Sequence, residues 1–194
     1  MAKTNRTKVA LLGFLSWGTM SGYDLRKLID GSISYFWNES YGRIYPMLAR
    51  LVSEGLASVE KTESEGGRPR NIYSLSATGR AELDEWLANP SVPSQPVRDE
   101  RLLKLFFGAR VSPAVSIQLV EAFAVELEET QARYRETRAR LESAKDAPID
   151  QRYWLMTLRY GERKREAELA WCAEILDELR ALASDSKGGS VGGS

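Results

Sequence analysis

The stretch from Asn38 to Arg80, NESYGRIYPMLARLVSEGLASVEKTESEGGRPRNIYSLSATGR, decides how this chain reads. It predicts one helix, a hairpin with a basic glycine-rich tip, and the start of another helix. Ile44, Leu48, Leu51 and Val52 recur at steps of four, three and one. That is the apolar back of a helix beginning between Asn38 and Tyr41. Arg43, Ala49, Arg50 and Ser53 fall on its other faces. Gly55 closes it as a left-handed glycine just past the last turn. Pro46 cannot donate to the carbonyl of Gly42, and its ring crowds that group. The helix therefore starts about one turn before Pro46 or bends there. Either outcome leaves free N–H groups near Ser40 to Arg43, which suits a phosphate. Leu56–Lys61 and Asn71–Leu75 read as strands, with Thr62–Arg70 as the polar turn between them. Two strands alone are marginal in water, so the hairpin must lean on the helices.

Toward the N-terminus, Thr7 is placed to cap a helix whose apolar positions are Val9, Leu11, Leu12, Phe14 and Leu15. Gly18-Thr19 breaks it. Ser21 stands three residues before Asp24, a capping-box spacing, and opens a second helix. Tyr23, Leu25, Leu28 and Ile29 form its apolar face, so Tyr23 reads as core. Past the hairpin, Ser76 caps a fourth helix carrying Ala81, Leu83, Trp86 and Leu87, which stops at Asn89-Pro90.

PSVPSQP, Pro90 to Pro96, is a stiff proline-rich spacer. Beyond it strand signals vanish and helical periodicity takes over. Arg98–Phe107 reads as a short helix. Ser112-Pro113 then starts a long one, Ser at the cap and Pro at its first position. Its stripe is Leu119, Phe123, Leu127, Thr130, Tyr134, Thr137 and Leu141. The later steps alternate between three and four, a heptad seam. A last helix spans about Ile149 to Ala183, with Trp154, Leu158, Trp171, Ile175, Leu179 and Leu182 on one side. Two helices this long and this apolar need more cover than one short helix supplies, so we expect them to pack against a second copy. The domain expectation is 1–89 for a winged helix-turn-helix, 90–97 for the linker, 98–184 for an all-helical dimerisation domain, and 185–194 for a flexible tail rich in Gly and Ser. The fold class is mainly α with a small β wing.

Composition excludes several functions. The chain has 194 residues, 43% hydrophobic and 28% charged, which is ordinary globular composition. Lys+Arg and Asp+Glu balance at 27 each, so any basic surface must be a local patch. With no histidine, imidazole catalysis and His-ligated metal sites are ruled out. The single cysteine, Cys172, excludes an intramolecular disulfide framework and reads as an inert buried thiol. No nucleophile motif or phosphate-cradling loop is present, so we expect neither an enzyme nor a cofactor or metal. The N-terminal apolar run is interrupted by Gly13, Ser16 and Trp17 and lacks a small-x-small cleavage site. No run reaches membrane-spanning length. A cytoplasmic protein is expected.

The chemistry of Asn38–Arg80 suits DNA. A reading helix needs an exposed polar N-terminal half and a buried apolar back. Tyr41 and Arg43 fit the exposed half; Arg43 can pair bidentately with a guanine edge, while Ser40, Tyr45 and Arg50 are placed for phosphates. Arg68 and Arg70 flank Pro69 at the hairpin tip, where the glycines allow close approach to a phosphate chain or a minor groove. Phe106, Phe107, Trp154 and Trp171 are candidates to line a pocket for an aromatic effector.

SGYDLRKLI, SYGRIYPMLARLVSEGLA and GGRPRNIYSLSATGR together resemble the N-terminal winged-helix domain of PadR-type transcriptional regulators, over roughly Lys8 to Leu87. RDERLLKLFFG and the two long helices after it resemble the helical C-terminal domain of the longer PadR subgroup and of related virulence-gene activators. The resemblance implies a homodimer that binds a pseudo-palindromic operator, usually as a repressor, and in several members releases it when a small aromatic ligand binds. A different class, a winged-helix protein-interaction scaffold that does not read an operator, fits the same elements.

Overall fold

The computed structural model describes residues 5–33, 36–37, 41–63, 69–92, 98–144 and 148–188. The chain forms two compact units, Met1–Ser94 and Gln95–Ser194, which meet within the proline-rich segment.

In the first unit, α1 (Arg6–Leu15) is capped by Asn5, whose side chain accepts from the Lys8 amide at 3.4 Å. Thr7 is buried inside the helix instead of capping it, a correction to the sequence reading. Asn is among the strongest caps and stands one turn ahead of the apolar run. After the break at Gly18, where φ is +152°, Met20–Ser21 forms a short strand, β1. Two residues are too few to show alternation, so the sequence did not announce it. β1 pairs antiparallel with β3 (Pro69–Leu75), which pairs in turn with β2 (Ala57–Glu63), giving the order β1-β3-β2. The hairpin is thus completed by a third strand as well as by helices.

Ser21 ends β1 and caps α2 (Gly22–Ser32), and both halves of its capping box with Asp24 are formed. Helix α3 (Tyr41–Ser53) starts one turn before Pro46. Beyond its end, Gly55 has φ +70°, Gly55 N donates to Val52 O at 3.1 Å, and Leu56 N donates to Leu51 O at 2.9 Å. This is a Schellman closure, and only a glycine enters it without strain. It drops the chain directly into β2. Helix α4 (Ala77–Ala88) is capped by Ser76 and lies so close to β2 that a Cβ on Gly79 would sit 2.1 Å from the Leu56 carbonyl oxygen.

These elements enclose one core, in which Leu12, Leu25, Leu48 and Leu51 are fully buried beside Leu11, Leu15, Ile44 and Tyr73. Four expected core contributors are absent from it. Tyr23 is 62% exposed. On α4 only Leu83 among the expected face is buried; Ala81, Trp86 and Leu87 are exposed. Tyr23 lies in the first turn of α2, where only part of the helix rests on its neighbours.

The second unit holds α5 (Glu100–Phe106), a 3-10 turn (Gly108–Arg110), α6 (Pro113–Glu142) and α7 (Asp150–Gly188). Helix α7 runs through Asp185–Gly188, so the start of the expected flexible tail is helical. Extending a formed helix adds one bond per residue, far less demanding than nucleating one. The long helices form an antiparallel hairpin, joined by Gln151 Nε2 donating to Leu141 O, by Arg138 with Glu162, and by Arg180 with Glu121 at 3.2 Å. Val120, Phe123, Leu127 and Cys172 are its buried centre, with Leu169, Trp171, Ile175 and Leu179 packed around them. Tyr134 and Leu158 are buried nearer the turn. The predicted α6 stripe is close to the observed one, with Val120 more deeply buried than Leu119.

Candidate nucleic-acid interface

Helix α3 has two sharply different sides. Ile44, Leu48 and Leu51 hold it to the core. At 100° per residue the opposite side is centred on Gly42, Pro46, Ala49 and Ser53, all exposed. Arg43 and Arg50 flank that line on one edge and Tyr45 on the other, each exposed. The centre of the exposed face is therefore low, with longer side chains at its margins. A helix of this profile can seat deeply in a major groove, where the donors and acceptors of base edges are distinct. The sequence reading singled out the flanking residues but not this central line.

Pro46 contributes in a second way. It removes one backbone donation to Gly42, and Gly42 is the residue that best tolerates the proline ring above it. The first N–H groups of α3 have no partner within the helix, as at any helix start, and carry a partial positive charge. Tyr45 has its ring against α2: a Cβ on Gly22 would lie 2.6 Å from the Tyr45 ring. Gly22 thus sets how closely α2 and α3 approach, and Tyr45 is half held by that packing.

The cations are not equivalent. Arg50 Nε donates to Glu54 Oε1 at 2.6 Å. Lys8, from α1, reaches Glu54 at 2.9 Å and Glu82 at 2.7 Å. Burial opposes the Lys8 charge, but the two carboxylates outweigh it and hold its pKa above the ordinary value. Hydrogen bonds from Lys8 and Arg50 hold the Glu54 carboxyl below the usual range. Of the two arginines on α3, Arg43 makes no ion pair to a described residue.

Arg70 departs from its expected place. It lies in β3, paired across from Thr62, not in the turn. Its guanidinium folds back onto α2, where Nη2 donates to Asp24 Oδ2 and, at 2.8 Å, to Ser21 Oγ. Asp24 and Arg70 are 46 residues apart, so no local pattern reveals the pair. Ser40 and Arg68 lie outside the described residues, and Tyr41 begins α3.

The four aromatic residues expected to line one effector pocket are not gathered into one. Trp154 and Trp171 sit on the same continuous helix, and seventeen residues at 1.5 Å each place them about 25 Å apart. Phe106 and Phe107 meet edge to face with ring centroids 5.1 Å apart, but Phe106 is 78% exposed. Trp171 alone of the four lines the small hollow between α5, α6 and α7, with Asp99, Arg101, Leu105 and Phe123. Arg101 closes it, its guanidinium carbon 3.6 Å from the Phe123 ring centre and its nitrogens on Asp99. Burial holds the Cys172 thiol above its ordinary pKa although the Arg101 charge works the other way. It is a closed-in, protonated thiol, unsuited to nucleophilic chemistry. Among the described residues no cluster could hold a metal ion, and no helix is long and apolar enough to cross a membrane.

Comparison with known proteins agrees with this geometry in both units. The sequence profile of the transcriptional regulator PadR-like family matches residues 11–85, and that of the virulence activator alpha C-terminal domain matches residues 97–180. The negative transcriptional regulator PadR of Bacillus subtilis is 27% identical over 173 residues, covering 87% of this chain and 94% of its own. Its crystal structure in complex with operator DNA superposes with a TM-score of 0.79 at 24% identity, covering 90% of this chain and 99% of that one. The same relative has also been solved in complex with p-coumaric acid, with a TM-score of 0.73, 24% identity and the same coverage. The Vibrio cholerae virulence activator AphA superposes with a TM-score of 0.72 at 29% identity, over 91% of this chain and 99% of its own. The chain thus joins a PadR-like regulator domain, over residues 11–85, to a virulence-activator alpha C-terminal domain, over residues 97–180, and is homologous to the PadR and AphA regulators.

Proposed function

We propose that the protein is a homodimeric, sequence-specific repressor that reads a pseudo-palindromic operator with the N-terminal half of α3. The observation that carries this reading is the low exposed face of Gly42, Pro46, Ala49 and Ser53, with the exposed Arg43 at its edge. In this reading Arg43 takes a base edge, Tyr41 contributes from the same first turn, and Ser40, Tyr45 and Arg50 take phosphates. Arg68, from the wing tip, adds a contact on the flanking DNA. Repression is suggested by the name of the Bacillus relative, and an operator by its complex with DNA. Release by a small aromatic ligand is suggested by the p-coumaric acid complex. The protein acts in the cytoplasm.

The dimer reading rests on α7 and the residue just before it. Ile149, Tyr153, Met156 and Tyr160 follow one another at steps of four, three and four, and all four are exposed. Apolar residues at that spacing, with no cover from their own chain, suit a helix of a second copy. The experiment is selection of binding sites from a random DNA pool. A palindrome with half-sites about one helical turn, or a multiple of it, apart is expected. Arg43→Ala should cost about 1–3 kcal/mol and relax the preference at one position of each half-site. A pool that yields no motif would sink the reading.

A further inference from the structure

We infer that Arg70 is not a DNA contact but a positioning residue, which locks the wing to the helix-turn-helix by gripping the Ser21–Asp24 capping box. This rests on the operator-binding reading above and assigns one of its basic residues a different task.

The contacts form a closed set. Ser21 N donates to Asp24 Oδ2 at 3.2 Å and Ser21 Oγ donates to the same oxygen at 2.8 Å. Asp24 N donates back to Ser21 Oγ at 3.2 Å. Arg70 Nη2 reaches both oxygens of this box, so Asp24 Oδ2 accepts from three donors. The strand register explains how. Ser21 pairs with Ile72, and Arg70 lies two residues earlier on β3, hence on the same side of the sheet. Its side chain needs only to lie along the sheet to meet the start of α2.

Three elements converge there. β1 ends at Ser21, α2 begins at Gly22, and β3 is the wing strand that leads away from the tip. α2 is in turn fitted to α3 through Gly22 and Tyr45. The chain of contact Arg70–Asp24–α2–Tyr45–α3 therefore ties the wing to the reading helix by side chains, beyond what two β1–β3 residue pairs provide. Partial burial works against the Asp24 charge, but Ser21 and Arg70 hold its carboxyl below the usual range, as a committed ion pair requires.

Two roles for Arg70 predict opposite signs. If Arg70 reaches a phosphate, Asp24 competes with DNA for it, and Asp24→Asn strengthens binding. If Arg70 is a latch, Asp24→Asn weakens binding although it removes a negative charge from a DNA-binding unit. Arg70→Met removes the latch and leaves the capping box intact. The test measures operator affinity of the full-length protein across a salt series, for Asp24→Asn, Arg70→Met and the double variant, each checked for unchanged thermal melting. The expected result is a loss of about tenfold in each single variant, with the double no worse than the poorer single, as for neighbours in one network. The slope of log affinity against log salt should stay as in the unsubstituted protein, since no phosphate contact is lost. Tighter or unchanged binding by Asp24→Asn overturns the inference. So does a slope lowered by about one in Arg70→Met, the mark of a lost phosphate contact. If the unsubstituted protein itself fails to select an operator, the functional reading fails, which is a different result from failure of the latch.

Discussion

The two units dispose of their apolar residues in opposite ways. In the first, four helices and a three-stranded sheet close over Leu12, Leu25, Leu48 and Leu51, and each is wholly buried. In the second, two long helices lie side by side, and a pair of helices can bury only one stripe of each. Leu102, Leu103, Phe106, Phe107, Val125, Tyr153, Met156 and Tyr160 are left exposed there. Neither unit is short of apolar side chains, and the first also leaves some exposed, Tyr23, Trp86 and Leu87 among them; the difference is that its centre is closed on every side by neighbouring elements. The first unit has a finished interior; the second leaves an apolar stripe in the open, which the proposed dimer would cover.

The sharpest way to break this contrast is to charge the exposed stripe. Tyr153→Glu with Tyr160→Glu should convert a dimer to a monomer by light scattering. Affinity for a two-half-site operator should then fall by about a hundredfold or more, because the second half-site is no longer held at high effective concentration. A double variant that remains a tight dimer would place the pairing surface elsewhere. On the other side of the contrast, Leu48→Ala opens a cavity in the closed core. We expect a loss of about 3–4 kcal/mol of stability in the first unit, read by denaturant unfolding. A loss below about 1 kcal/mol would mean that this core relaxes as freely as a surface.

The smallest effect concerns what holds the hairpin apart from packing. Glu162 is largely buried, and its carboxylate takes both Arg138 Nε and Nη2, with Glu142 accepting from Nη1 at 3.3 Å. The hydrogen bond to Glu162 is the main reason the Arg138 pKa is raised. Glu162→Ala strips the guanidinium of its inner partner and should cost about 2 kcal/mol, less than for a fully buried pair because Arg138 keeps some solvent. Hydrogen exchange should locate the loosening in α6 and α7 and leave α1–α4 unchanged. Loosening in the first unit instead would show that the two are not independent.

Much of the fold was legible. The α3 stripe, its start just before Pro46, the glycine closure at Gly55, the Ser21 and Ser76 caps and the α6 seam all follow from local chemistry, and each is where local chemistry puts it. The β1 strand was not legible, because two residues carry no period. Asn5 was passed over for Thr7, because both are acceptable caps and only the packing of Thr7 inward decides between them. The aromatic pocket failed on length: Trp154 and Trp171 share an apolar side in sequence, but one unbroken helix keeps them far apart.

For the candidate site, local sequence determined which residues α3 shows and which it buries, since a period of 3.6 residues sorts them without help from the rest of the chain. It also placed two basic residues around Pro69. With which groups the described cations pair was decided only by tertiary structure. Arg43 makes no ion pair to a described residue, Arg50 and Lys8 converge on Glu54, and Arg70 turns back to Asp24. The physical reason is that periodicity is a property of neighbours along the chain. An ion pair is a property of neighbours in space, and these were brought together from α1, α2, α3 and β3 by the folding of the whole unit.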